Sequence, residues 1–217
     1  MRAVVFDMDG ILFDTERLCL EGWRAVARAN GFTGVEEIFP KCVGLSEKDC
    51  KRVVTQDLGE DFDYSRFSQK VSSWMRQYIA EYGLPVMKGA EHLLEWLEAE
   101  EWKIGLASST RYDSVVRHLE RSGLRHYFSQ LTTGDMVEHS KPQPHIYLLA
   151  CRRMGVEPGE TYAIEDSPNG IRAAHGAGMI PLMVPDMIAP DEEMRCLSRE
   201  IFDSLEDVLA YLQREER

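Results

Sequence analysis

The chain has 217 residues, 44% of them hydrophobic, and its 37 Asp and Glu against 25 Lys and Arg give a formal charge of -12. That length can bury a substantial core, as one domain or as a domain with an insertion, while so acidic a balance offers no basic field for nucleic acid or an anionic membrane. No apolar stretch reaches the ~20 residues needed to span a bilayer, and the amino terminus lacks a signal-peptide pattern. A cytoplasmic location is therefore expected, with the five cysteines, none in C-x-x-C spacing, reading as reduced structural thiols.

Ala3-Val4-Val5-Phe6 is a continuous apolar run, β-branched in the middle, as in a strand covered on both faces, and it ends in Asp7-Met8-Asp9-Gly10. Ligands of open α/β sheets bind beyond the carboxyl ends of the strands, so two acids and a turn glycine there are placed for chemistry. Asp9 can point to the same side as Asp7. One carboxylate can then attack while the other moves protons, as hydrolysis through a covalent intermediate requires. Taken alone, the tetrapeptide also reads as a polar turn.

From Thr15 to about Met87 the periodicity is helical. Thr15 to Asn30 carries Leu18, Trp23, Val26 and Ala27 as a stripe and is closed by Gly31. Ser46-Glu47-Lys48-Asp49 resembles a capping box, opening a helix that Gly59 closes. Phe67, Val71, Trp74 and Tyr78 recur at helical spacing before Gly83. The pattern predicts a compact helical block inserted after the first strand. From Lys88 on, helix and strand alternate as in a parallel α/β domain, with strands expected at Lys103–Ala107, Gln130–Thr133, Thr161–Glu165 and Met179–Val184. The last helix is expected over Ser204–Leu212, leaving Gln213–Arg217 as a frayed tail.

Three later features fall at or beyond the carboxyl ends of expected strands. Ser108-Ser109-Thr110 offers hydroxyls and loop amides to a phosphoryl oxygen, although such residues also cap helices. Lys141 lies in Ser140-Lys141-Pro142-Gln143-Pro144, where two prolines stiffen the backbone and could hold its ammonium near a fixed anion. Thr161-Tyr162-Ala163-Ile164-Glu165-Asp166 ends a strand in two more acids. Asp7, Asp9, Glu165 and Asp166 together would repel one another unless a cation sat among them, and an oxygen-only donor set beside a phosphate favours Mg2+.

With these motifs in order, the chain resembles the haloacid dehalogenase-like hydrolase superfamily, in the branch of phosphoglycolate phosphatases and β-phosphoglucomutases. Asp7-Met8-Asp9-Gly10 matches the nucleophile motif, Ser108 the phosphate-binding hydroxyl, Lys141 the basic residue and Glu165-Asp166 the acidic metal motif. Ser167-Pro168-Asn169-Gly170-Ile171-Arg172-Ala173-Ala174 continues the pattern. The resemblance implies an α/β fold with a Rossmann-like parallel sheet core, residues 1–14 and 88–217, and an inserted α-helical cap domain, residues 15–87. It implies Asp7 as nucleophile, Asp9 as acid and base, and Ser108 and Lys141 as catalytic phosphate-binding groups, with Gly10 and Ser109 beside them. Mg2+ is implied at Asp7, the Asp9 backbone carbonyl, Glu165 and Asp166. Glu16, Trp23, Gly44 and Glu47 are the cap candidates for specificity.

Departures narrow the branch. β-Phosphoglucomutases carry an arginine in a cap G-x-x-R motif where this chain has Gly44-Leu45-Ser46-Glu47, and a histidine where it has Cys19. An acid facing a dianionic phosphate is repulsive. Dehalogenation of carbon needs neither the acid Asp9 nor a metal. The reading is a Mg2+-dependent phosphatase, a monomer or weak homodimer, acting on a small phosphorylated metabolite without nucleic acid or membrane. A phosphosugar mutase and a sugar-phosphate sensor are the alternatives. A Schiff-base phosphonatase using Lys41, Lys48 or Lys51 has no apolar setting to support it. The six histidines, His92, His118, His126, His139, His145 and His175, show no metal-ligand spacing and are assigned no role.

Overall fold

The computed structural model describes residues 2–43 and 47–215, with Glu47 described by its backbone. Gly44, the Ser46 of the expected capping box and the Glu47 side chain lie outside the described residues. The chain divides into two compact units, residues 1–13 with 86–217, and residues 14–85.

The larger unit is built on six parallel strands: β1 (Ala3–Phe6), β2 (Lys103–Ser108), β3 (Gln130–Thr133), β4 (Thr161–Glu165), β5 (Ile180–Met183) and β6 (Glu200–Ile201). They lie in the order β3-β2-β1-β4-β5-β6, with every described pairing parallel. This is the Rossmann order, in which the sheet reverses its direction of growth beside β1 and leaves a crevice at the strand ends. All four residues of β1 are fully buried, which explains why this strand reads as an unbroken apolar run rather than an alternating one.

Helices α7 (His145–Met154) and α8 (Pro168–Gly176) cover one face, packing Ile146, Tyr147, Ala150, Ala173 and Ala174 onto Ala3, Val5, Ala107 and Ala163. In β2, Gly105 lets α7 approach closely: a Cβ there would stand 2.3 Å from Met154 Sδ. The unit is completed by α5 (Ala90–Ala99), α6 (Tyr112–Arg121), α9 (Glu192–Leu197) and α10 (Leu205–Glu215). Helix α10 runs past the expected end at Leu212, so Gln213–Glu215 form its last turn rather than a frayed tail. The short α9 and β6 carry too few residues for a periodic signal and were not expected.

Among its described residues the smaller unit is built of four helices, α1 (Thr15–Asn30), α2 (Val35–Cys42), α3 (Glu47–Leu58) and α4 (Tyr64–Tyr82). Asp14 caps α1 by accepting from the Arg17 amide, and Gly31 closes it in the left-handed conformation. Trp23 is the hub, with the edges of Phe39 and Phe67 at 5.2 and 5.1 Å between ring centroids. Helix α2 was not anticipated: it has eight residues, and Pro40 inside it obscured the periodicity. The chain is thus an α/β Rossmann-like core carrying an inserted helical cap domain.

Candidate active site

Sheet register puts three strand ends at one level. Phe6 pairs with Leu106 on one side and Ile164 on the other, so Asp7, Ala107 and Glu165 stand abreast one residue further on. The Asp7 amide continues the ladder, donating to Ile164 O at 3.0 Å. Lys141 arrives from the segment between β3 and α7. Its Nζ donates to Asp7 Oδ1 at 2.6 Å, Glu165 Oε1 at 2.7 Å and Ala107 O at 3.1 Å. Three acceptors on three neighbouring strand ends satisfy all three N–H groups of an ammonium.

Burial works against the Lys141 charge, but Asp7 and Glu165 outweigh it and hold the ammonium above the ordinary lysine pKa. Burial likewise pushes Asp7 up to about 7, with Lys141 opposing and Glu165 and Asp9 adding to the rise. Asp166 is raised well above the carboxylate range, first by burial and then by Glu165 and Asp7. Both acids are disfavoured as anions chiefly because they are buried, and the neighbouring carboxylates add to the effect.

Glu165 is fully buried and held from several directions. The Tyr147 hydroxyl donates to Oε1 at 2.6 Å, and the Ser167 hydroxyl to Oε2 at 3.3 Å. Tyr147 is itself fully buried, and Lys141 Nζ lies 5.1 Å from its ring centroid. Two glycines allow this crowding. Gly10 has φ +78° and a Cβ there would stand 2.4 Å from Asp166 Oδ2, while a Cβ on Gly170 would fall 1.9 Å from Glu165 Cδ.

Asp9 faces a different partner. Thr110 Oγ1 donates to Asp9 Oδ2 at 3.1 Å, and the Thr110 amide donates to Ser108 Oγ, also at 3.1 Å. Thr110, in the loop whose hydroxyls the sequence offers to a phosphoryl oxygen, thus also orients the second acid of the motif. Ser108 is fully buried and Ser109 is exposed on the loop, where Gly134 passes so close that a Cβ would meet Ser109 O at 2.2 Å. The Gly10 amide donates to Phe13 O at 2.9 Å within the turn. Glu16 lies in the helical unit, lining a cavity of about 370 Å³ with Cys19, Trp23, Ser68, Ser72 and Met75.

The acids suit a hard divalent cation. Asp7, Glu165 and Asp166 each bring a carboxylate oxygen within 4.8 Å of the other two, the one such grouping among the described residues. One ammonium among three carboxylates leaves two negative charges in a buried setting, which a divalent ion would offset. An all-oxygen donor set fits Mg2+ rather than a thiophilic metal.

Lys141 Nζ reaches Asp7 and Glu165, and Asp166 brings a carboxylate oxygen within 4.8 Å of both acids, whereas Tyr147 and Gly134 belong to none of the motifs read from the sequence. Tyr147 had only a faint signal, namely that a buried tyrosine needs a partner for its hydroxyl.

The family model described as haloacid dehalogenase-like hydrolase matches residues 4–184. A phosphorylated carbohydrates phosphatase of Thermotoga maritima is 34% identical over 179 residues, 82% of this chain and 82% of its own. A β-phosphoglucomutase of Bacillus subtilis is 28% identical over 192 residues, 85% of this chain and 83% of its own. The crystal structure of a Thermotoga maritima protein described as a candidate β-phosphoglucomutase superposes with a TM-score of 0.82 at 30% identity, covering 99% of both chains.

Proposed function

We propose that this chain, which belongs to the haloacid dehalogenase-like hydrolase family and is a phosphoric monoester hydrolase, dephosphorylates a small phosphorylated carbohydrate through an aspartyl-phosphate on Asp7. The observation that carries the reading is the Lys141 ammonium held between Asp7 and Glu165 at 2.6 and 2.7 Å, with Asp9 anchored separately by Thr110. Two neighbouring carboxylates in such different surroundings can take different roles.

An Asp7 oxygen attacks phosphorus in line, and the bond from phosphorus to the sugar oxygen breaks. Asp9 gives its proton to that leaving oxygen. It then takes a proton from the water that attacks the aspartyl-phosphate, which releases inorganic phosphate and restores Asp7. Lys141 neutralises charge at the nucleophile, and Ser108 and the loop beside it offer donors to the phosphoryl oxygens. Asp7, Glu165 and Asp166 would hold Mg2+, whose charge when bound offsets the repulsion between the Asp7 carboxylate and an incoming phosphate. Glu16 and Glu47 remain candidates for contact with the carbohydrate.

The test is phosphate release from a panel of sugar phosphates, phosphoglycolate and nucleotides, with Mg2+ or EDTA, for the native chain and Asp7→Asn. Mg2+-dependent release that Asp7→Asn abolishes is the expected result. β-Glucose 1-phosphate with a bisphosphate primer belongs in the panel because one relative is a β-phosphoglucomutase. Glucose 6-phosphate accumulating with little free phosphate would replace the phosphatase reading with a mutase.

A further inference from the structure

We propose a second metal site, distinct from the acidic cluster, in which His139 and His145 together bind a borderline transition-metal ion such as Zn2+, Ni2+ or Cu2+. Their ring centroids lie 5.1 Å apart with planes inclined at 37°. A tetrahedral ion with metal–nitrogen bonds of ~2.0–2.1 Å sets two bound imidazole centroids about 5 Å apart. The centroid separation of the pair matches that of two imidazoles sharing one ion.

The backbone between the two is pinned, which gives preorganisation. The Gln143 amide donates to Ser140 O at 3.0 Å, and Pro144 O accepts from the Tyr147 and Leu148 amides at 3.1 and 3.0 Å. Lys141, between the two histidines, is fixed by its bonds to Asp7, Glu165 and Ala107. His145 is the first residue of α7, so one ligand stands on a helix and the other on the braced turn before it.

The setting suits an exchangeable cation. Both imidazoles are exposed and line a surface groove of about 280 Å³ that Glu138 and Arg152 share, so neither sign of charge dominates it. No hydrogen bond or ion pair with another described residue engages either ring. Among the described residues no third His, Cys, Asp or Glu joins the pair at ligand range, so water completes the coordination. Imidazole nitrogen with water selects Zn2+, Ni2+ or Cu2+ over Mg2+. A bound ion would tie the residue two before Lys141 to the residue four after it, bracing the segment that presents the ammonium.

The experiment uses the untagged full chain in saturating Mg2+, titrated with Zn2+ by calorimetry, with Cu2+ electron paramagnetic resonance as a second readout. The expected result is one Zn2+ per chain at micromolar affinity, and Cu2+ hyperfine structure from two nitrogens. Loss of even an outer-shell partner costs about 10–100-fold in metal affinity, so His139→Ala and His145→Ala should each weaken Zn2+ binding by at least about tenfold. Both variants should keep the melting temperature and phosphatase activity of the native chain without added Zn2+. Asp166→Asn should leave the Zn2+ site intact. Zn2+ binding that survives both histidine substitutions would overturn the proposal, and its disappearance in Asp166→Asn would put the ion at the acidic cluster instead. The absence of Zn2+ binding at concentrations up to about 100 μM, a range that spans ordinary weak affinities, would also overturn the proposal.

Discussion

Lys141 Nζ donates to Asp7 Oδ1 at 2.6 Å across 134 positions of the chain, and the same ammonium reaches Glu165. Removing one partner of a buried charge cluster leaves the others uncompensated, at about 3–5 kcal/mol. Lys141→Met should therefore lower the melting temperature in EDTA as well as turnover. Lys141→Arg should not restore activity, because a planar fork cannot place three donors on acceptors that converge on one nitrogen. Steady-state kinetics and thermal melts of the two variants check both statements.

Tyr147→Phe keeps the ring that packs in the core and removes only the donor to Glu165 Oε1. A hydrogen bond to a charged group contributes about 1.5–3 kcal/mol, and the freed oxygen leaves Lys141 as its remaining donor. The expected outcome is a higher Mg2+ requirement with a modest change in turnover at saturating metal. Direct Mn2+ binding, followed by paramagnetic resonance, should weaken in parallel. Unchanged metal affinity would reduce Tyr147 to a packing residue.

Thr110→Val preserves shape and removes the hydroxyl that donates to Asp9 Oδ2. If Asp9 protonates the leaving oxygen, the variant should lose about tenfold in turnover on a sugar phosphate, equivalent to ~1.4 kcal/mol. It should lose far less on p-nitrophenyl phosphate, whose leaving group departs without a proton. Equal losses on the two substrates would show that Thr110 does not act through Asp9.

Glycine substitutions separate close approach from backbone strain. Gly10 and Gly123 have nearly the same φ, +78° and +77°, yet a Cβ at Gly10 meets Asp166 Oδ2 at 2.4 Å while one at Gly123 meets nothing within 4 Å. Gly123→Ala should cost only the left-handed conformation, about 1–2 kcal/mol. Gly10→Ala should cost more stability and displace Asp166, with metal affinity falling as well. Urea denaturation and Mn2+ binding distinguish the two cases.

The pH dependence of the metal-free chain follows from Asp7. Burial pushes its carboxyl up to about 7 in the fold, well above the ordinary aspartate range, so the folded state binds the proton more tightly than the unfolded one. The contribution to stability is present below pH ~4 and is lost as pH rises through ~7. Urea midpoints in EDTA should therefore carry a declining component across that window. Asp7→Asn should remove it, and saturating Mg2+ should offset it at neutral pH.

The sequence by itself determined which residue types exist and roughly where the strands β1 to β5 end. Ala3–Phe6 announced a buried strand because apolar β-branched residues without alternation suit a sheet covered on both sides, and Asp7-Met8-Asp9-Gly10 marked its carboxyl end. The stripe through Phe67 and Val71 announced a helix with a buried face. Those signals are local, since they depend on the period of a single element. Only the tertiary structure decided the partnerships. Lys141 meets Asp7 and Glu165 because parallel register sets β1, β2 and β4 abreast, and Tyr147 reaches Glu165 because α7 packs on that face of the sheet. Thr110 donates to Asp9, and His139 meets His145 across a pinned turn. Contacts of this kind depend on strand order and helix packing, which no period along the chain encodes.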